Sequence, residues 1–309
     1  MLIPFHDDNP LRRLPFVTVG LIVVNTLLLL YTSGLDPDQE ELFYKRHGFV
    51  PAQIEQLIDS SKVIRLELGA GDVAPEFEPR PDPSGTPRYL ELEPLPAEIM
   101  FSLISCMFLH GGIMHLVGNM WFFWIFGNNI EDRLGHLPFL CFYLLGGLVA
   151  SATHWLMTPV DQSLTPVVGA SGAVAVMLGA YAVTYPHARV RCLVLVFLIF
   201  FIELPALVVL GFWIVGQLIS ASGALAVDLN GGVAWWAHVG GFLAGALVMP
   251  LLTWIIPQQE TAARYFRPPP GSPDRSRALD PATRWSTDRV GHNDPPLRKH
   301  DDGIRWEDE

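Results

Sequence analysis

Apolar stretches at 14–31, 113–130, 137–157, 206–227 and 234–256 each approach the ~20 residues a helix needs to cross a bilayer's hydrocarbon core. A further apolar segment, 171–185, ends at Pro186, which disfavours helical geometry at Tyr185. At ~1.5 Å per residue it reaches only ~22 Å of a ~30 Å core, so Ser171 starts its helix below the membrane surface. A helix that begins at depth needs protein or a water-filled cavity around its free N–H groups. Half of the residues are hydrophobic and only 17% are charged, proportions that a soluble domain of 309 residues rarely reaches. The net charge of −11 argues against nucleic acid as a partner, because neutralising phosphates needs a basic surface. The partners expected are lipid and other membrane proteins.

The segment from Cys192 to Val227 carries a single charge, Glu203, and hydropathy alone could draw two crossings through it. An extra crossing would put His238 and Ser171 at opposite membrane surfaces. With Pro205 marking a break, residues 190–204 are expected to form a re-entrant or interfacial hairpin. The expectation is an all-α polytopic membrane protein with six transmembrane helices. Its N-terminus would be 1–13, its membrane domain 14–256, and its long outer loop, 34–100, would join helices one and two. Leu95 to Phe108 would lie along the interface. The tail, 257–309, is rich in Pro, Arg and Asp and is expected to be disordered.

Arg12, Arg13, Arg133, Arg189, Arg191, Arg264 and Arg267 all fall on one side of that arrangement, which the positive-inside rule makes cytoplasmic, with both termini there. Ser171 and His238 then open outward. No clear cleavage site follows Tyr31, so the first apolar segment reads as an uncleaved helix. Asp7 and Asp8, without the Arg- and Ser-rich character of a transit peptide, point to a bacterial cytoplasmic membrane. Cys106, Cys141 and Cys192 lie far apart and read as free thiols.

Polar side chains at membrane depth are costly and usually functional. Ser171 stands in Gly169-Ala170-Ser171-Gly172, and His238 opens Ala237-His238-Val239-Gly240-Gly241. A serine is a potential nucleophile and a histidine a potential general base. Ser171 is also one of three small residues, with Ala175 and Gly179, spaced by four, and Ala237, Gly241 and Gly245 form a second such stripe. Close packing of these stripes would bring His238 beside Ser171. His115 and Asn119 share one helix face, where their donors could meet charge on a tetrahedral intermediate or could simply bond neighbouring helices. No zinc-ligand pattern accompanies His110 and His115, and no cofactor or metal is expected.

Taken in order, His110, His115 and Asn119, then Glu131-Asp132-Arg133-Leu134-Gly135, Gly169-Ala170-Ser171-Gly172, and His238 with Gly241 and Gly245 resemble the rhomboid intramembrane serine proteases. The resemblance covers roughly Phe101 to Trp254. It implies a Ser171–His238 dyad acting through an acyl-enzyme, with His115, Asn119 and the Ser171 N–H as oxyanion donors and single-span membrane proteins as substrates. Glu131 and Arg133 would be structural, tying the loop between helices two and three. Ala175 departs from family members that carry an aromatic four positions after the serine, on which the histidine ring rests. Asp161 and Asp228 lie in outer linkers and supply no evident third triad member. Gly69-Ala70-Gly71-Asp72 imitates an aspartyl-protease motif but has no partner aspartate at membrane depth. Two rival readings are a non-catalytic rhomboid-like protein that binds client transmembrane helices, and a small transporter, which would call for paired half-helices or repeats.

Overall fold

Helix α7, Ser171–Thr184, lies at the centre of the molecule, and every residue from Ala173 to Ala182 is buried. A helix that is apolar all round belongs inside a bundle, and neighbouring helices pack around this one. The computed structural model describes residues 2–68, 88–159, 163–195, 199–222 and 233–256. In chain order these are β1 (Leu2–Asp7), α1 (Phe16–Thr32), α2 (Pro37–His47), β2 (Ile64–Leu68), β3 (Arg88–Leu92), α3 (Pro96–Ser105), α4 (Ile113–Phe122), α5 (Asn128–Leu134) and α6 (His136–Met157). After α7 come β4 (Arg189–Leu195), β5 (Ile199–Pro205), α8 (Ala206–Ala221) and α9 (Trp235–Ile255). A π-helical turn, Phe123–Gly127, joins α4 to α5 in one continuous rod.

Among the described residues two helices, α6 and α9, are each long and apolar enough to cross a membrane. A third crossing is available if Pro96–Phe108 and Ile113–Leu134, bent by 81°, count as one. Helices α1, α7 and α8 are apolar but shorter. Outward faces of the bundle are greasy: Leu30 on α1, Phe212 on α8 and Leu247 on α9 stand exposed, as side chains do when lipid is the solvent.

Small residues set the approach of α7 to its neighbours. A Cβ on Gly179 would collide with the Phe242 carbonyl of α9, and one on Gly245 with the Val176 carbonyl of α7. Gly241 rests on the Gly172 carbonyl and lies 3.2 Å, from the site of its missing Cβ, to Ala175. On the other side, a Cβ on Gly172 would come within 2.9 Å of Ala150 in α6. The two four-residue stripes therefore interlock backbone to backbone, as small residues permit in a membrane bundle.

The fold is mostly helical but not all-α. β1, β4 and β5 form an antiparallel sheet in the order β1-β4-β5, and β2 pairs with β3. Period-two alternation explains β4: Val190 and Cys192 point inward while Arg189 and Arg191 point out. The segment expected to turn back on itself does so as strands, with Arg191 bonded across the hairpin to Glu203 at 2.9 Å. The expected outer loop, within its described part, is likewise structured. Ile64 and Leu66 of β2 and Leu92 of β3 are buried together with Val50. Gly69 to Asp72 and the tail beyond Ile256 lie outside the described residues, as do Asp161, Asp228, Arg264 and Arg267.

The end of the bundle where α7 finishes is polar and heavily tied. The Glu131 carboxylate accepts from the N–H groups of Val17 at 2.9 Å and Thr18 at 2.7 Å, and from the Thr18 hydroxyl at 2.6 Å, capping the start of α1. Arg133 donates to the Thr253 and Ile256 carbonyls, each at 3.0 Å, where cations favour the closing turn of α9. These two side chains fasten α1 and α9 to α5, beyond the single loop that the sequence suggested. Asp7 accepts from Tyr181 Oη at 2.7 Å and from Asn129 Nδ2 at 2.9 Å, which locks β1 against α7 and α5.

Candidate active site

At the opposite end of α7, a cavity of about 550 Å³ opens between α4, α7, α8 and the start of α9. Ser171, His238, His115 and Asn119 all line it. Ser171 is the first residue of α7, so the cavity receives the unpaired N–H end of that helix. His238 sits in the first turn of α9, its N–H directed at the Ala234 carbonyl at 3.3 Å. Side chains four apart on one helix share a face, which is why His115 and Asn119 arrive together.

The loop before Ser171 is shaped by a glycine. Gly169 has φ +127°, a backbone conformation in which side chains are strained. Its bare Cα also lets the His115 ring close over it, since a Cβ there would lie 2.8 Å from His115 Nε2. The Gly169 N–H donates to the Cys106 carbonyl at 2.8 Å. Phe49 and Val167 exchange backbone hydrogen bonds of 3.0 and 2.8 Å, and the Ala52 N–H donates to the Ser163 carbonyl at 3.0 Å. The segment between α1 and α3 therefore braces the loop that presents Ser171, and its Tyr44 and Lys45 join the cavity wall.

Of the seven buried side-chain polar atoms that lack a hydrogen-bond partner among the described residues, two belong to side chains that line the cavity: Nε2 of His238 and Nδ2 of Asn119. Such atoms are rare in folded proteins, and each needs a partner that water or a ligand in the cavity can supply. The other ring nitrogen of His238, Nδ1, lies 2.7 Å from Gln217 Oε1 on α8. Its ring is flanked by Trp213, with centroids 5.9 Å apart and tilted by 38°, and by Trp235, also at 5.9 Å and edge-on. An aromatic rest is thus supplied from α8 and α9 where position 175 carries only alanine.

His110 does not line the cavity. Its ring is buried against His115, with centroids 5.2 Å apart, and its carbonyl accepts from Tyr44 Oη at 2.6 Å. Among the described residues no three His, Cys, Asp or Glu side chains are grouped to hold a metal ion. Gln217 and Trp213 escaped the sequence reading although a signal existed. Gln217 and Ser220 are the only polar side chains in α8, and Trp213 lies four residues before Gln217 on the same face.

A mostly helical membrane protein with a serine at a helix start and a histidine lining the same cavity defines a narrow class. Residues 97–255 match the Rhomboid domain family model, and the chain belongs to the rhomboid family. It is 29% identical over 168 residues to presenilin-associated rhomboid-like protein A, mitochondrial, of Danio rerio, covering 51% of this chain and 39% of that protein. To rhomboid protein 1, mitochondrial, of Saccharomyces cerevisiae it is 28% identical over 188 residues, 60% of this chain and 46% of that one. To RHOMBOID-like protein 5 of Arabidopsis thaliana it is 34% identical over 147 residues, 46% and 41% respectively. The match thus spans less than half the length of these curated relatives.

The mitochondrial relatives overturn the bacterial cytoplasmic membrane expected from the first residues. The acidity of that stretch has a different cause. Asp7 is buried in β1, where it bonds Tyr181 and Asn129, so its acidic side chain serves the fold.

Proposed function

We propose that this chain is an intramembrane serine endopeptidase that cleaves membrane-spanning proteins through Ser171 and His238. The observation that carries the reading is their shared cavity, into which Ser171 brings a helix N-terminus and where His238 Nε2 and Asn119 Nδ2 lack partners. Six crossings, with α1, α4–α5, α6, α7, α8 and α9 each traversing once, place both residues at one face of the membrane. The membrane domain is then 14–256, with 34–100 as its outer segment.

In this reading Nε2 of His238 takes the Ser171 hydroxyl proton as Oγ attacks the carbonyl carbon of a scissile peptide bond. The oxyanion that forms is met by the Ser171 N–H, Asn119 Nδ2 and His115, donors fixed before the reaction and so costing little reorganisation. Collapse breaks the C–N bond, and the imidazolium gives its proton to the departing amine. A water then loses a proton to Nε2, attacks the acyl-serine and releases the acid, returning the proton to Oγ. Tyr44, Lys45, Trp213 and Trp235 line the cavity, and a substrate helix that unwinds locally would present its carbonyl there.

The test is co-reconstitution of purified protein with single-span reporters that carry small residues near the outer membrane boundary. Mass spectrometry should find one new pair of termini with wild type and none with Ser171→Ala or His238→Ala. Products that persist in Ser171→Ala would sink the assignment.

A further inference from the structure

We propose that Gln217 is a positioning residue that keeps His238 in the tautomer with the proton on Nδ1 and the Nε2 lone pair free in the cavity that Ser171 lines. The inference rests on the hydrolase reading above and adds to it the group that orients the base. A neutral imidazole carries one N–H and one lone pair, and the partner of one nitrogen decides the state of the other. At 2.7 Å from Nδ1, a carbonyl oxygen is bound only if Nδ1 carries the proton, because two facing lone pairs repel. Nε2, buried and without a partner, is then the basic atom. An amide turned the other way would point N–H at Nδ1, drive the proton to Nε2 and leave no base for Ser171.

The surroundings of the pair fit this role. Gln217 and Trp213 stand one helical turn apart on α8, so the same face that supplies the acceptor also supplies a ring at 5.9 Å from the imidazole. Trp213 is itself packed against Phe242 of α9 at 6.1 Å, which fixes the ring's stacking platform to the helix that carries His238. Ala175, on α7, contributes no such platform, and the orientation passes wholly to α8 and α9. Gln217 touches neither the scissile bond nor Ser171 in this scheme and acts through His238 alone.

Two measurements test it. Imidazole ¹⁵N chemical shifts of selectively ¹⁵N-histidine-labelled wild-type protein, with His238→Ala identifying the resonances, read the tautomer without any change at Gln217. Protonated Nδ1 is expected, and protonated Nε2 overturns the inference. The second measurement is the rate of covalent labelling by a fluorophosphonate probe in Gln217→Glu and Gln217→Met. Both keep the side chain's length, but only glutamate keeps an acceptor. A positioning role ranks glutamate above methionine; a merely structural role in apolar surroundings ranks methionine above glutamate. Gln217→Met should lower the maximal labelling rate by ~10- to 100-fold, no more than the lower end of the ~10²–10⁴ that a positioned general base supplies, and leave the half-saturating probe concentration unchanged. Wild-type labelling in Gln217→Met overturns the inference while leaving the protease reading intact, provided Ser171→Ala is unlabelled. A wild type that takes no label overturns that reading, and this inference falls with it.

Discussion

The imidazole of His115 covers the bare Cα of Gly169 so closely that a methyl group there would meet His115 Nε2 at 2.8 Å. One contact thus joins α4, which carries two of the cavity's donors, to the loop that delivers Ser171. Gly169→Ala faces two penalties, a strained backbone at φ +127° and a displaced His115 ring. The backbone penalty alone is ~1–3 kcal/mol. The variant should still fold, with a lower melting temperature, and should lose most of its labelling by a serine-directed probe. Unchanged labelling would show that His115 does not need its present position.

The backbone contact of α7 with α9 sets the second expectation. Gly245→Val would drive a side chain into the Val176 carbonyl, and because both partners are backbone the helices must part. Overpacking of this kind costs at least ~1–3 kcal/mol. Thermal unfolding in detergent should show a clear fall in midpoint. Gly211→Ala is the control, since a Cβ there meets nothing within 4 Å. Its midpoint should hold or rise, as alanine is the better helix former.

Asp7 gives a pH dependence at the far end of the bundle. Burial lifts its carboxyl above the ordinary value of 3.8, and the bond from Tyr181 only partly opposes that. A raised value means that the folded state holds the proton more tightly than the unfolded chain. Its stabilising contribution is therefore complete below pH ~3.8 and is lost as pH rises through the folded value. Ionised Asp7 then weighs against folding at neutral pH. Asp7→Asn, which keeps an acceptor for Tyr181, should raise the melting midpoint at pH 7, and the gain should vanish towards pH 4. A gain that grows on acidification would contradict the assigned sign.

Much of the bundle was legible because hydropathy and helix length are properties of single segments. The start of α7 at Ser171 and its end before Pro186 follow from local chemistry, as does the pairing of small-residue stripes. What stayed hidden depended on partners distant in sequence. The Arg-Val-Arg-Cys alternation of β4 is a period-two strand signal that hydropathy alone does not carry. The bracing of Val167 by Phe49 joins segments more than a hundred residues apart, and no spacing announces it. Glu131 and Arg133 were recognised as structural, yet their grip on α1 and α9 needed the folded molecule. Gln217 is the opposite case: a lone amide in an apolar helix is legible as a polar group that needs a partner, and His238 is that partner.

The central claim, that Ser171 is a nucleophile activated by His238, is tested most directly by fluorophosphonate labelling of purified wild type, Ser171→Ala and His238→Ala, with thermal melts confirming that all three are folded. Label on wild type alone is the expected result. Label on none of the three, with intact melts and a known serine hydrolase labelled alongside, would contradict the claim and favour a rhomboid protein that binds its clients without cutting them.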